Sequence, residues 1–163
     1  MEGRGVRLEV FLGRQELEVW RDDRRERVYP ISTARNGAGE QMGSGCTPRG
    51  RHRVRIKIGA GCPRGTVFVE RRPTGERYTP DLGRREPERD WILTRILWLT
   101  GSEPGFNRGG DCDTLRRFIY IHGTAAETSI GRPVSHGCIR MKNKDIEELF
   151  EVVSNGASVH IHD

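Results

Sequence analysis

At 163 residues with 34% hydrophobic content, the chain suits a single domain, and a chain of that size buries roughly 70% of its unfolded surface. No apolar run approaches the ~20 residues of a membrane span, and the charged, alternating opening from Met1 to Val10 lacks the apolar stretch of an export signal. The 28 basic and 23 acidic residues leave a net charge of +5, but arginines alternate with acids along most basic runs and no aromatics interleave them, which counts against a nucleic-acid or other polyanion-binding module.

Taken in order, residues 6–12 and 15–20 alternate cleanly as two strands joined by Gly13-Arg14. A third short strand covers 27–32, pushed toward a sheet edge by Pro30. Residues 35–50 are a glycine-rich loop without the spacing of a phosphate-binding loop. Val54 to Ile58 alternate as a strand, and 66–71 form another. Residues 72–90, rich in Pro, Gly, Arg and Glu without apolar period, read as a surface excursion, a solvated insertion in preference to a lid. The most apolar stretch, 91–99, is a core strand. Residues 100–114 are a loop whose Asp111-Cys112-Asp113 offers too few oxygens for a hard cation. Phe118 to Ile121 form a strand that delivers His122 to its end. Asn143 caps a helix through Val153, with Ile146, Leu149, Phe150 and Val153 on one face and Gly156 ending it. In the last strand, 159–162, His160 and His162 share a face, read as an exposed strand surface in preference to a metal site. Many strands, one clear helix and no βαβ rhythm predict a mainly β, single-domain fold over 1–163, a mixed sandwich or barrel-like arrangement with one or two short helices.

The chemistry gathers between residues 118 and 141. A thiol with its ordinary pKa near ~8.5 needs a basic or cationic neighbour to act as a nucleophile at neutral pH, and Cys138 has His136 and His122 to draw on. If 134–140 is extended, the period of two places His136, Cys138 and Arg140 on one face. Gly137 admits close backbone approach, amides around Cys138 form an oxyanion-type donor set, and Arg140 suits a carboxylate. Singly, each residue is more often a packed structural one; Ser, His, Gly, Cys and Arg within six positions favour chemistry. Of the four cysteines, Cys46, Cys62 and Cys112 make no Cys-x-x-Cys pair and remain an odd set once Cys138 is reserved, so reduced thiols are expected. A zinc site from His122, His136 and Cys138 is the metal alternative.

Ile121-His122-Gly123-Thr124, followed by Ser135-His136-Gly137-Cys138-Ile139-Arg140-Met141, resembles the signature of the L,D-transpeptidase catalytic domain, the YkuD-like family. Thr47-Pro48-Arg49-Gly50 and the strand after it resemble that family's upstream strand entry. The resemblance implies a mixed β-sandwich in which Cys138 is the nucleophile and His122 its base. It implies too that His136 and Ser135 shape the site and Arg140 contacts substrate, with Gly123, Thr124 and Gly137 in the substrate-binding set. It further implies a peptidoglycan stem peptide as substrate, no metal or organic cofactor, and action in the cell envelope by a chain expected to be monomeric. Hydrolytic relatives with the same Cys/His dyad, a carboxypeptidase or an amidase, are the alternative outcome.

Overall fold

The computed structural model describes residues 5–163; of the charged opening read above, residues 1–4 lie outside the described residues. The first hairpin forms from β1 (Val6–Phe11) and β2 (Glu16–Arg21), whose alternation sends Val6, Leu8, Val10, Leu17 and Val19 inward. Strand β3 (Arg24–Pro30) closes the opening meander as the outer strand beside β2, a position where proline's missing N–H is tolerated. Strands β4 (Gly50–Ile58), β5 (Thr66–Val69) and β6 (Arg72–Arg77), helix α1 (Pro80–Arg85) and strand β7 (Ile92–Gly101) follow. Strands β8 (Tyr120–Gly123) and β9 (Ile139–Met141), helix α2 (Asn143–Val152) and strand β10 (Ser158–His162) complete the described chain.

The strands join in one mixed sheet, in the order β3-β2-β1-β10-β4-β7-β5-β6, with β8 pairing β7 and β9. The pairs β1–β10 and β8–β9 are parallel and the other ladders antiparallel. Just beyond β3, the Ser32 and Arg140 backbones exchange hydrogen bonds of 2.9 and 2.8 Å, which ties the first meander to β9 and turns the open path into a barrel-like ring. Inside it Leu8, Leu17, Ile31, Leu97, Ile121 and Ile139 pack with Ile146, Leu149 and Phe150 of α2, the apolar stripe that helical spacing predicts. Each such side chain contributes roughly 1.5–3 kcal/mol on burial.

Several boundaries differ from expectation for identifiable reasons. The 72–90 stretch is not an unstructured insertion: β6 pairs with β5, and Thr79 Oγ1 accepts from Leu82 N at 3.1 Å to cap α1, with Pro80 in its first turn. β6 shows no alternation because it lies at the sheet's edge with both faces largely wet. The turn into it is made by Glu70 and Arg71 at φ +49° and +65°, a conformation that Asn-Gly or Gly-Gly would have advertised. Phe118 precedes β8, at φ +57° and half exposed. Asn143 is the first residue of α2, not its cap; its N–H donates to the Glu127 carboxylate at 2.7 Å. The helix ends at Val152, and Gly156, at φ +87°, makes the turn into β10.

Candidate active site

Pairing with β7 on one side and β9 on the other holds β8 inside the sheet, and His122, 1% exposed, sits near its end. Its Nδ1 lies 2.6 Å from the Gly123 carbonyl. That contact assigns the ring hydrogen to Nδ1 and leaves Nε2 as the free base. Burial lowers the His122 pKa, so the ring is neutral at pH 7.

A bulge in β7 lies opposite, where the register shifts between Leu93 and Ile96. Thr94 within it has φ +78°, unusual for a β-branched residue. Its Oγ1 donates to Asn143 Oδ1 at 2.5 Å and accepts from Gly65 N at 3.1 Å. Asn143 Nδ2 in turn donates to the Thr124 carbonyl at 2.9 Å. The Cβ of any larger residue at 123 would collide with Asn143 Oδ1 and the Leu93 carbonyl. Gly123 and the buried Thr124 therefore stand behind the histidine and hold it, and Thr124 also reaches the pocket wall.

Cys138 is carried by a turn, not by the extended segment expected over 134–140; only 139–141 is strand. Gly137 turns the chain at φ +136°, where an added Cβ would lie 3.3 Å from the Cys46 carbonyl. Ser135 Oγ donates to the Cys138 carbonyl at 2.6 Å and accepts from Gly137 N at 3.2 Å. Thr47 Oγ1 donates to the Gly137 carbonyl at 2.9 Å and accepts from Ala34 N at 3.0 Å. Ser135 thus spends its hydroxyl on the turn, and the Gly137 amide is engaged there rather than free for an oxyanion.

Cys138 Sγ accepts from Tyr120 N and donates to the Phe118 carbonyl, both at 3.3 Å. Burial pushes the thiol up to about 12, against the opposing pull of the Tyr120 amide, Arg140 and Arg117. Burial of both groups therefore favours a thiol and a neutral imidazole over an ion pair.

Despite the turn, His122, His136, Cys138, Arg140 and Ser135 line one cleft of about 180 Å³. His136 is exposed at its rim. Asp90, Arg117, Phe118 and Ile119 complete the wall. Asp90 Oδ1 lies 3.6 Å from Arg140 Nη2, and residues 87–91 with Thr124, Ala125, Ala126, His136 and Arg140 bound an adjoining pocket of about 270 Å³. The segment read as a solvated insertion is therefore a rim of the site. Arg117 donates to the Cys46 carbonyl at 2.6 Å, Gly39 carbonyl at 3.2 Å and Ser44 Oγ at 3.4 Å, tying the glycine-rich loop to the cleft. Burial lowers its pKa. Arg117 sits in the pair Arg116-Arg117 just before β8, the one local signal that marked it; Asp90 had none.

The three residues of the zinc alternative do not form a ligand cluster. Among the described residues, the only group of three His, Cys, Asp or Glu side chains with ligand atoms within 4.8 Å of one another is Glu9, His160 and His162, none of which lines the cleft. All four cysteines are free. Among the described residues no helix is long and apolar enough to cross a membrane.

A family model described as the L,D-transpeptidase catalytic domain (YkuD) matches residues 5–161. The putative L,D-transpeptidase YqjB of Bacillus subtilis is 33% identical over 148 residues, 91% of this chain and 66% of its own length. The probable L,D-transpeptidase YbiS of Escherichia coli K12 is 51% identical over 98 residues, 60% of this chain and 32% of its own length. The chain thus spans only part of each relative. Among solved structures, L,D-transpeptidase 3 of Mycobacterium tuberculosis in complex with a faropenem-derived adduct superposes with TM-score 0.61 at 19% identity, covering 98% of this chain and 60% of that one. An L,D-transpeptidase from Mycobacterium smegmatis gives TM-score 0.57 at 18% identity, covering 98% and 59%.

Proposed function

Given that the chain belongs to the L,D-transpeptidase catalytic-domain family, we propose that it is a cysteine acyltransferase acting on peptidoglycan stem peptides, with Cys138 as nucleophile and His122 as general base. The observation that carries this reading is the placement of a neutral His122, its Nε2 unencumbered, and the Cys138 thiol on the wall of one cleft beside Arg140.

His122 Nε2 takes the Sγ proton as sulfur attacks the carbonyl of the diamino-acid residue of a tetrapeptide stem. The tetrahedral oxyanion is stabilised by the Cys138 amide and the Arg117 guanidinium, because the Gly137 amide is already used. Collapse breaks the peptide bond. The leaving D-alanine amine receives the proton from His122, and a thioester remains on Cys138. The amine of a second stem then attacks the thioester, His122 accepts its proton and passes it to the departing sulfur, and the C–S bond breaks to restore the thiol and neutral imidazole with a 3-to-3 cross-link formed. Water in place of that amine gives carboxypeptidase chemistry.

Arg140 binds a stem carboxylate, exchanging its long contact with Asp90 for a charge-assisted one. It borders both pockets, which gives the two stems separate approaches. His136 contacts substrate at the rim. Residues 1–163 act as one monomeric catalytic unit without cofactor, in the cell envelope where the polymer lies.

The test is intact-protein mass spectrometry after incubation with tetrapeptide muropeptide and, separately, with faropenem. Wild-type protein gains a covalent adduct and Cys138→Ala gains none. An adduct that persists in Cys138→Ala, or no adduct on folded wild-type protein with either compound, overturns the reading. Cross-linked dimers or trimmed tripeptides among the products distinguish transfer from hydrolysis.

A further inference from the structure

We propose that Glu9, His160 and His162 form a site for a divalent transition-metal ion of zinc type, built across the parallel pairing of β1 and β10. Glu9 pairs in register with His160, and Phe11 with His162. Alternation within β10 puts both imidazoles on the face that Glu9 occupies on the neighbouring strand. Glu9 Oε1 lies 2.6 Å from His162 Nε2 and 3.9 Å from His160 Nδ1, and the three ligand atoms fall within 4.8 Å of one another. Zinc bonds to nitrogen and carboxylate oxygen run about 2.0–2.2 Å, which sets donors on a tetrahedral ion roughly 3.4 Å apart. The observed separations straddle that value, so side-chain rotation without backbone movement brings the donors into position.

The surroundings resemble the outer shell that orients metal ligands. Arg7 Nε holds the other Glu9 oxygen at 3.1 Å. The Phe11 ring stacks on His162 with centroids 4.8 Å apart and planes 11° from parallel. The two imidazoles stand 3.9 Å apart, centroid to centroid. Arg51, paired with His160 across the β10–β4 ladder, adds a positive charge beside the group. All three ligating residues are half-buried, not the plain exposed strand face expected from the pattern. Water completes the coordination on the open side. A simple Glu9–His162 hydrogen bond would account for one histidine but not for a second aimed at the same oxygen. Two imidazoles with one carboxylate favour zinc-like ions over magnesium or calcium.

The site lies two strands from β8, with β4 and β7 between, so it serves the fold rather than the cleft. An ion there staples the first strand to the last. The test uses the full chain, stripped with EDTA and titrated with zinc chloride by calorimetry and by thermal melting. Binding of one zinc ion per chain is expected, with Tm rising roughly 5–10 °C at a hundredfold excess over Kd. His160→Gln/His162→Gln should keep the metal-free Tm and lose the shift. A shift that survives in that variant, or wild-type protein without saturable zinc binding, overturns the proposal. Should the variant fail to fold, imidazole NMR of the wild type decides: zinc moves the His160 and His162 signals while those of His52 and His122 hold. Movement confined to His122 and His136 overturns it.

Discussion

With His122 as the proposed base, the hydrogen on its Nδ1, shared with the Gly123 carbonyl, predicts how acylation responds to pH. Only the neutral ring accepts a proton, and burial holds the His122 pKa below its ordinary 6.5. Acylation by faropenem should therefore stay level from pH 7 to 9 and fall only below 6.5, since the thiol at about 12 adds no limb in that range. A pH–rate profile with its acid midpoint at or above 7 would contradict this. His122→Ala should remain folded and acylate ~10²- to 10⁴-fold more slowly, while the exposed His136 should matter less. If His136→Ala abolishes acylation and His122→Ala does not, the base is His136. Arg140 makes a separate case. Its partner Asp90 is 3.6 Å away and 53% exposed, so the pair stabilises the fold by at most about 1 kcal/mol. Arg140→Lys should lose activity, Arg140→Ala more, and Asp90→Asn little, with all three Tm values close to wild type. Parallel losses of Tm and activity in Arg140→Ala would make the arginine structural. At this scale the gathering of His122, Cys138 and Arg140 in one cleft was legible because one short stretch holds them. Asp90 reaches the cleft only through the fold, and the contacts that Arg117 and Thr47 make with the 39–47 loop and with Gly137 are long-range ones that the local sequence does not encode.

At the level of elements, the turn that carries Cys138 depends on a distant side chain. Thr47 Oγ1 serves both the Gly137 carbonyl and the Ala34 amide and is fully buried. Thr47→Val keeps the shape but leaves both groups unpaired, at about 1–3 kcal/mol each. Tm should drop by roughly 5 °C or more, with acylation slowed because Sγ shifts; an unchanged melt would show that water or rearrangement replaces the hydroxyl. Strand β4 carries a different liability. His52 is buried between the Gly50 carbonyl and Thr114 Oγ1, each 3.0 Å away, and burial lowers its pKa to about 4. Above pH 6.5 both folded and unfolded chains hold it neutral. Between 6.5 and 4 only the unfolded chain takes up the proton, so stability falls as pH drops, by up to about 1.4 kcal/mol per unit. Melting from pH 7 to 4 should show this slope, and His52→Gln should flatten it; an unaltered slope would assign it to His122 and other groups. The hairpin, the core strand 91–99 and the last helix were legible because one face of each is apolar. Strand β6 and helix α1 were not, since neither buries a face.

Across the whole molecule, composition and the absence of a βαβ rhythm pointed to a mainly β fold, and the mixed sheet with two helices agrees. What pattern alone did not disclose is where the last strand goes. β10 lies between β1 and β4, pairing parallel with one and antiparallel with the other. Removing residues 158–163 strips both neighbours of their ladder and takes Val159 and Ile161 from the core. The truncated chain should lose its cooperative thermal transition; a sharp melt by circular dichroism would show that β1 and β4 can pair without it.

A ribosome releases the chain from its first residue onward, so His122 and Cys138 emerge while the strand that completes the ring is still being made. The opening hairpin must wait for a partner more than a hundred residues away in sequence, and such distant pairings form slowly. Ser32 and Arg140 close the ring beside Cys138, and a chain that stops short of residue 158 holds both of them without the strand that joins β1 to β4. The sheet behind the cleft is complete only once residues 158–162 have paired with β1 and β4.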